Sequence, residues 1–374
     1  MASKDAPRAP LPMAGFTPDP TADRELVNLH DYERAAAEKL GPGPLAYYRG
    51  GAMDERTLLA NREAFQRRVI VPRIMTDVAA IDPSVVVLGR RWPHPLWVAP
   101  TALQRLAHPD GELASARAAL ARGLTFGLST SASTDMADVA ALGGPRWYQV
   151  YLLEDPGARR AMIERAIASG YEALVLTADL QRLGRRERDI RVGFSIPPGV
   201  ALPNIAKAAG VPPEQAAQVP FVSTLDWRSL EWIAGFGKPV VLKGVLHPED
   251  ARRALDHGAS AIVVSNHGGR QLDGAIASLD ALPAIVEAVG GRAPVLLDGG
   301  VRRGTDLLMA LALGATAVGI GRPVLWGLAT AGEQGVGRVL DLLIAELELS
   351  MALAGCADLR AVAQLMVTAQ GQNR

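Results

Sequence analysis

From residue 97 onward, apolar positions recur in a fixed rhythm. Short runs rich in Val, Ile, Leu, Ala and Trp occupy 97–99, 125–128, 147–152, 173–177, 239–242, 261–264, 294–297 and 317–320. Each run is largely continuous rather than alternating, which marks a strand buried on both faces. Helical patterns fill most of the gaps, at 111–122, 155–169, 248–257, 278–289 and 305–313. Strands alternating with helices imply parallel pairing. Eight such units predict an α/β protein built as a closed (β/α)8, or TIM, barrel. An open doubly wound sheet would need an early glycine-rich strand–helix turn followed by an acidic residue on the next strand, and none is present.

The remaining segments dress this barrel. Residues 26–40 predict a helix capped by Asn28 or Asp31 and stopped by Gly41-Pro42-Gly43-Pro44. Tyr47 and Tyr48 then read as packing residues at a helix end, and residues 70–92 as short strands and turns closing one end. These form an N-terminal helical and short-strand extension. A long Pro-, Gly- and Ala-rich loop, 190–226, follows the fourth strand and is expected to be an active-site lid. Residues 337–354 predict a helix outside the barrel. Residues 1–25 are expected to be a flexible arm and 26–374 a single barrel domain.

Composition narrows the possible partners. The 374 residues carry 39 basic and 39 acidic side chains, without the charge excess that nucleic-acid binding requires. The longest uncharged runs, 192–206 and 307–321, are broken by Gly or Pro and are too short to span a bilayer. The first 20 residues lack a signal-peptide core. A lone cysteine, Cys356, allows no internal disulfide and no multi-cysteine metal site. It fits a reducing cytoplasm and a buried structural thiol.

In such a barrel the chemistry lies where strands end. The first strand leads into Pro100-Thr101-Ala102 and the second into Ser129. The third carries Gln149 and Tyr151, and the fourth ends in Thr177 and Asp179 with Arg186 beyond. The fifth ends in Lys243. The sixth opens into Ser265-Asn266-His267-Gly268-Gly269-Arg270-Gln271-Leu272-Asp273. The last two end in Asp298, Gly300 and Arg302, and in Gly321 and Arg322. Glycine-rich turns with arginines after strands seven and eight suit a phosphate. Lys243 can place a cation beside an electron-rich ring, with Gln149 and Thr177 bonding its edge. Arg186 and Arg270 can clamp a carboxylate, and Tyr47 and Tyr151 can bond a substrate oxygen. His267 can take a proton, with Asp179 stabilising its charged form. Arg185 and Arg188 read as solvated. A barrel that binds a phosphate ligand without redox chemistry is the alternative of a different class.

Three motifs are similar to those of the FMN-dependent (S)-2-hydroxy acid oxidases and dehydrogenases, the family of glycolate, lactate and hydroxymandelate oxidases. They are the 265–273 stretch, Leu183-Gly184-Arg185-Arg186-Glu187-Arg188-Asp189, and Leu297-Asp298-Gly299-Gly300-Val301-Arg302-Arg303-Gly304-Thr305-Asp306. The resemblance implies FMN as cofactor and two-electron oxidation of a small 2-hydroxy acid to the 2-oxo acid. It implies His267 as base, paired with Asp179. Arg186, Arg270, Tyr47 and Tyr151 then face the substrate, with Lys243 beside the flavin N1–C2 carbonyl. Pro100, Thr101, Ala102, Ser129, Gln149, Thr177, Ser265 and Asp298 fall among the flavin contacts, and Gly300, Arg302, Gly321 and Arg322 on the phosphate. Ala102 stands where the family's oxidases tend to carry Ala, which favours O2 as acceptor and H2O2 as product over a dehydrogenase with another acceptor. The stretch from Gln271 to Asp280 is similar to bacterial lactate-type oxidases, so L-lactate is expected ahead of glycolate or mandelate. Ser131, where glycolate oxidases carry a bulky aromatic, leaves room for a longer side chain. No tyrosine lies in 190–226, unlike the lid of lactate oxidases. A homotetramer or octamer is also implied.

Overall fold

A computed structural model describes residues 25–370; most of the expected N-terminal arm lies outside the described residues. Eight parallel strands close the barrel: β1 (Leu96–Thr101), β2 (Thr125–Leu128), β3 (Arg146–Val150), β4 (Ala173–Thr177), β5 (Val240–Val245), β6 (Ala261–Val264), β7 (Val295–Asp298) and β8 (Ala317–Ile320). They pair in chain order, and β8 closes on β1 through Val318 against Leu96. All eight expected strands are present, with ends shifted by a few residues.

Side chains alternate across the barrel wall, as strand geometry requires. Trp97, Ala99, Trp147, Val175, Val241, Val263 and Leu296 fill the interior. Leu96, Val98, Phe126, Val150, Leu174, Leu242, Ile262 and Leu297 face the surrounding helices. A hairpin of Val85–Val87 and Arg90–Trp92 lies under the floor, where Trp92 meets Trp147 and Trp147 meets Trp97 at ring distances of 5.4 and 5.3 Å. Strand Arg68–Val71 pairs with Met366–Ala369. The hairpin and Arg68–Val71 answer to the short strands expected near 70–92, while Met366–Ala369 is an addition.

Three helices precede the barrel: α1 (Leu29–Lys39), α2 (Pro42–Arg49) and α3 (Arg56–Gln66). Asn28 and Asp31 share the cap of α1 in a reciprocal box. Gly41-Pro42-Gly43-Pro44 does more than stop α1, because Pro42 sits in the first turn of α2, where its missing N–H costs nothing. The helix expected at 337–354 starts earlier and runs Arg322–Leu353, kinked at Ala331 and Gly332. Its first half is masked in sequence by glycines. Their use is close packing, since a Cβ at Gly327 would lie 2.5 Å from the Gly335 carbonyl oxygen. The 190–226 segment is not one extended loop. It contains helix Pro203–Ala209 and a 3-10 turn at Pro213–Gln218, and the buried Asn204 ties it to Met136 N–H and the Thr134 carbonyl.

Candidate active site

Two strand irregularities shape the mouth. Register shifts lie between Val98 and Thr101 on β1 and between Lys243 and Val245 on β5, the kind of bulge that re-aims side chains beside active sites. Gly244, with φ of 105°, makes room for Asp179, because a Cβ there would sit 2.7 Å from its carboxyl carbon. Above these strands lies a cavity of about 230 Å³. Tyr47, Pro100, Thr101, Ala102, Ser129, Gln149, Tyr151, Thr177, Arg186, Lys243, His267, Arg270, Asp298, Gly300, Arg302, Gly321 and Arg322 all line it. Asp179 and Ser265 stand behind this lining. Five of the lining residues are Lys or Arg and one is Asp, so the cavity is strongly positive in a chain of zero net charge.

His267 projects from the loop after β6. Its Nδ1 lies 2.9 Å from Asp179 Oδ1 and its Nε2 3.5 Å from the Tyr151 hydroxyl. Burial pushes the imidazole below its ordinary value, against the pull of Asp179. Burial alone would raise Asp179, but the histidine charge, its hydrogen bond and Lys243 bring the carboxyl below its usual range. An ionised carboxylate can only accept, so Nδ1 carries the proton and the Nε2 lone pair faces the cavity.

Lys243 and Ser265 form a buried brace. Lys243 Nζ donates to Ser265 Oγ at 2.8 Å and lies 3.2 Å from Asp298. Ser265 Oγ donates to Asp298 and accepts the His267 N–H at 3.1 Å. Ser265 is fully buried and braces both Lys243 and His267.

The arginines divide their work. Arg270 lies 4.9 Å over the Tyr47 ring, and its Nη1 donates to the Tyr47 and Gly50 carbonyls. Burial and then neighbouring Arg186 lower its pKa to about 10. Arg322 donates to the carbonyls of Tyr48, Gly50 and Gly268. Both cations therefore cap the C-terminal end of α2, where the helix dipole favours them, and so place Tyr47. Arg188, expected to be solvated, makes a two-pronged bond to Glu55 at 2.7 and 2.5 Å. Arg185 remains largely exposed.

Among the described residues of the site, Gln149 Nε2, Asp179 Oδ2, Arg186 Nε and Arg302 Nε are buried without a hydrogen-bond partner, and two of these bear on a cofactor. Gln149 Oε1 accepts from Ser129 Oγ and Thr130 N–H, but its Nε2 is buried and unpaired. Arg302 Nε likewise makes no hydrogen bond, its nearest carboxylate being Glu33 at 4.0 Å, and burial and then Arg62 lower this guanidinium to about 10. Orphans of this kind call for a bound group. An acceptor-rich ring at Gln149 and an anion at Arg302 would satisfy them, which is the chemistry of FMN. Gly300 has a packing reason as well, since a Cβ there would meet the Asn61 carbonyl oxygen at 2.2 Å.

Three residues were missed in sequence. Phe194 stacks on Tyr47 at 4.8 Å and Phe221 packs against Tyr151 at 5.3 Å. As the only aromatics in 190–226, they carried a signal. Asn61, buried on α3, had none.

A family model described as FMN-dependent dehydrogenase matches residues 36–369. The chain is 49% identical over 355 residues to an L-lactate oxidase of Nostoc sp., covering 91% of this chain and 97% of that protein. It is 43% identical over 357 residues to glycolate oxidase of Spinacia oleracea, covering 92% and 96%. A solved structure of mandelate oxidase with benzoyl-formic acid superposes with a TM-score of 0.86 at 43% identity, covering 92% of this chain and 98% of that one.

Proposed function

The chain belongs to the FMN-dependent dehydrogenase family and is an FMN enzyme of 2-hydroxy acid oxidation, and on that premise we propose that it oxidises L-lactate to the 2-oxo acid while reducing O2 to H2O2. The observation that carries this reading is His267, backed by Asp179, facing a cavity with five cations and one carboxylate in its lining. When bound, FMN supplies the two-electron acceptor. Arg186 and Arg270 hold the substrate carboxylate, and Tyr47 and Tyr151 bond its oxygens. His267 Nε2 accepts a proton from the substrate, and Asp179 stabilises the resulting imidazolium. Lys243 stands at the ring edge. Pro100, Thr101, Ala102, Ser129, Gln149 and Thr177 hold the ring, with Ser265 and Asp298 fixing Lys243. Gly300, Arg302, Gly321 and Arg322 receive the phosphate.

The small Ala102 and Ser131, with Leu180, Leu183 and Phe221, line the same cavity and support an apolar substrate side chain. Residues 26–374 act as one FMN-binding unit, with 190–226 as a lid whose Phe194 and Phe221 rest on the two tyrosines. The family resemblance supports a cytoplasmic homotetramer or octamer, which sedimentation of the holoenzyme checks.

Anaerobic L-lactate should bleach the flavin absorbance of the purified protein, faster than glycolate or (S)-mandelate does. In air, one H2O2 should form per lactate consumed. Absence of bleaching with all three acids overturns the reading, and peroxide well below one per turnover transfers the electrons to a different acceptor.

A further inference from the structure

His267 has a backbone φ of 59°, in the left-handed region that side chains with a Cβ rarely occupy. The surrounding structure must impose that conformation. The preceding residue, Asn266, is buried and meets the buried Asn61 of α3 in a reciprocal amide pair. Asn61 Nδ2 donates to Asn266 Oδ1, and Asn266 Nδ2 donates to Asn61 Oδ1, both at 2.8 Å. The pair is extended at both ends. Asn266 also donates to the Ile276 carbonyl at 3.0 Å and accepts Gly269 N–H at 3.1 Å, while Asn61 accepts Ser278 N–H at 3.2 Å. The turn that carries His267 is thus clamped from outside the barrel. Helix α3 is itself anchored to the same loop, because Asp273 accepts N–H bonds from Asp54 and Thr57 at its start.

We propose that Asn61 is a positioning residue for the base: by pairing with Asn266 it holds the His267 backbone in the one conformation that sets Nδ1 on Asp179 and Nε2 toward the substrate. The inference rests on the proposed role of His267. Asn61 lines no part of the cavity and does not touch His267; it packs behind Gly299 and Gly300 and reaches the base through Asn266. The charged or titratable groups that face the imidazole are Asp179, Tyr151, Lys243 and Arg186, and none of them bonds to Asn61.

The test compares wild type with Asn61→Ala and the near-isosteric Asn61→Asp, which keeps the acceptor oxygen but loses the donor to Asn266. Four quantities are measured on the holoenzymes: FMN content, affinity for an inert carboxylate such as oxalate, the anaerobic rate of flavin reduction across pH, and amide hydrogen exchange in 265–273. The variants should keep FMN and bind oxalate within threefold of wild type. They should be reduced ten- to a hundredfold more slowly, with the acid limb of the profile displaced from its wild-type position and faster exchange in the loop. Reduction within threefold of wild type with an unchanged pH profile overturns the proposal. So does loss of FMN or of the fold in both variants, which would make Asn61 a scaffold residue. If wild type itself is not reduced by any 2-hydroxy acid, the functional reading fails, a result distinct from variants that match an active wild type.

Discussion

At the floor of the barrel, Trp92, Trp97 and Trp147 pack ring to ring beneath an interior of Val, Ala and Leu. At the mouth the same strands present Lys243, His267 and four arginines, with buried cations held near one another. The floor gains stability from apolar area and aromatic contact. The mouth gives stability up, because desolvated like charges repel and each must be held by carbonyls or carboxylates. Changes at the floor should therefore alter how long the protein stays folded, and changes at the mouth what it does while folded.

The largest effect expected is at the mouth. His267→Ala should slow flavin reduction by about 10²–10⁴-fold, the usual worth of a general base, while the melting temperature holds or rises. Stopped-flow reduction and a thermal melt measure both sides of that contrast. The pH profile sharpens it. Because His267 is held below 6.5, the base is free at neutral pH, and reduction should fail only as the pH drops below that value. Asp179→Asn removes the main group pulling the imidazole upward, so its acid limb should move lower still. The same depression lets the unfolded chain bind this proton more readily. This group's contribution to stability is thus intact above 6.5 and lost as the pH falls through the folded value.

The counterpart at the floor is Trp147→Ala. It should cost about 3–5 kcal/mol of stability, seen as a lower denaturation midpoint, with the reduction rate per folded holoenzyme unchanged. A rate loss as large as that of His267→Ala would end the division between the two ends. Removing FMN comes next. The apoprotein should melt lower, and FMN at a hundred times its dissociation constant should restore about 2.7 kcal/mol. The smallest effect belongs to Arg188→Ala. The arginine is 46% exposed, and such pairs are worth about 0.2–1 kcal/mol.

The two ends were not equally readable in sequence. Strands such as 261–264 and 317–320 announce themselves because burial on both faces demands unbroken apolar runs. Polar residues at their ends, His267 and Lys243 among them, then fall at the mouth by topology alone. What stays hidden depends on partners far along the chain. Asn61 meets a residue 205 positions away, and nothing in its own neighbourhood marks it. Arg322 reads as a phosphate ligand from its place after β8, but its added hold on the end of α2 cannot be read from its neighbours in the chain. The pattern shows only the second half of the Arg322–Leu353 helix because glycine lowers helix propensity locally, while its close packing shows only in three dimensions.

Gln271 carries a consequence of another kind. Its amide donates to the carbonyls of Asp179 and Arg182 and accepts Gly184 N–H, and a Cβ at Gly184 would strike the Arg270 carbonyl oxygen at 2.3 Å. The loops after β4 and β6 are therefore a single mutational unit. Changes in one alter the fitness of changes in the other, so substitutions on the two should combine non-additively. A new specificity is reached by recombining these loops as a matched set, and exchange of either alone from a relative should fail.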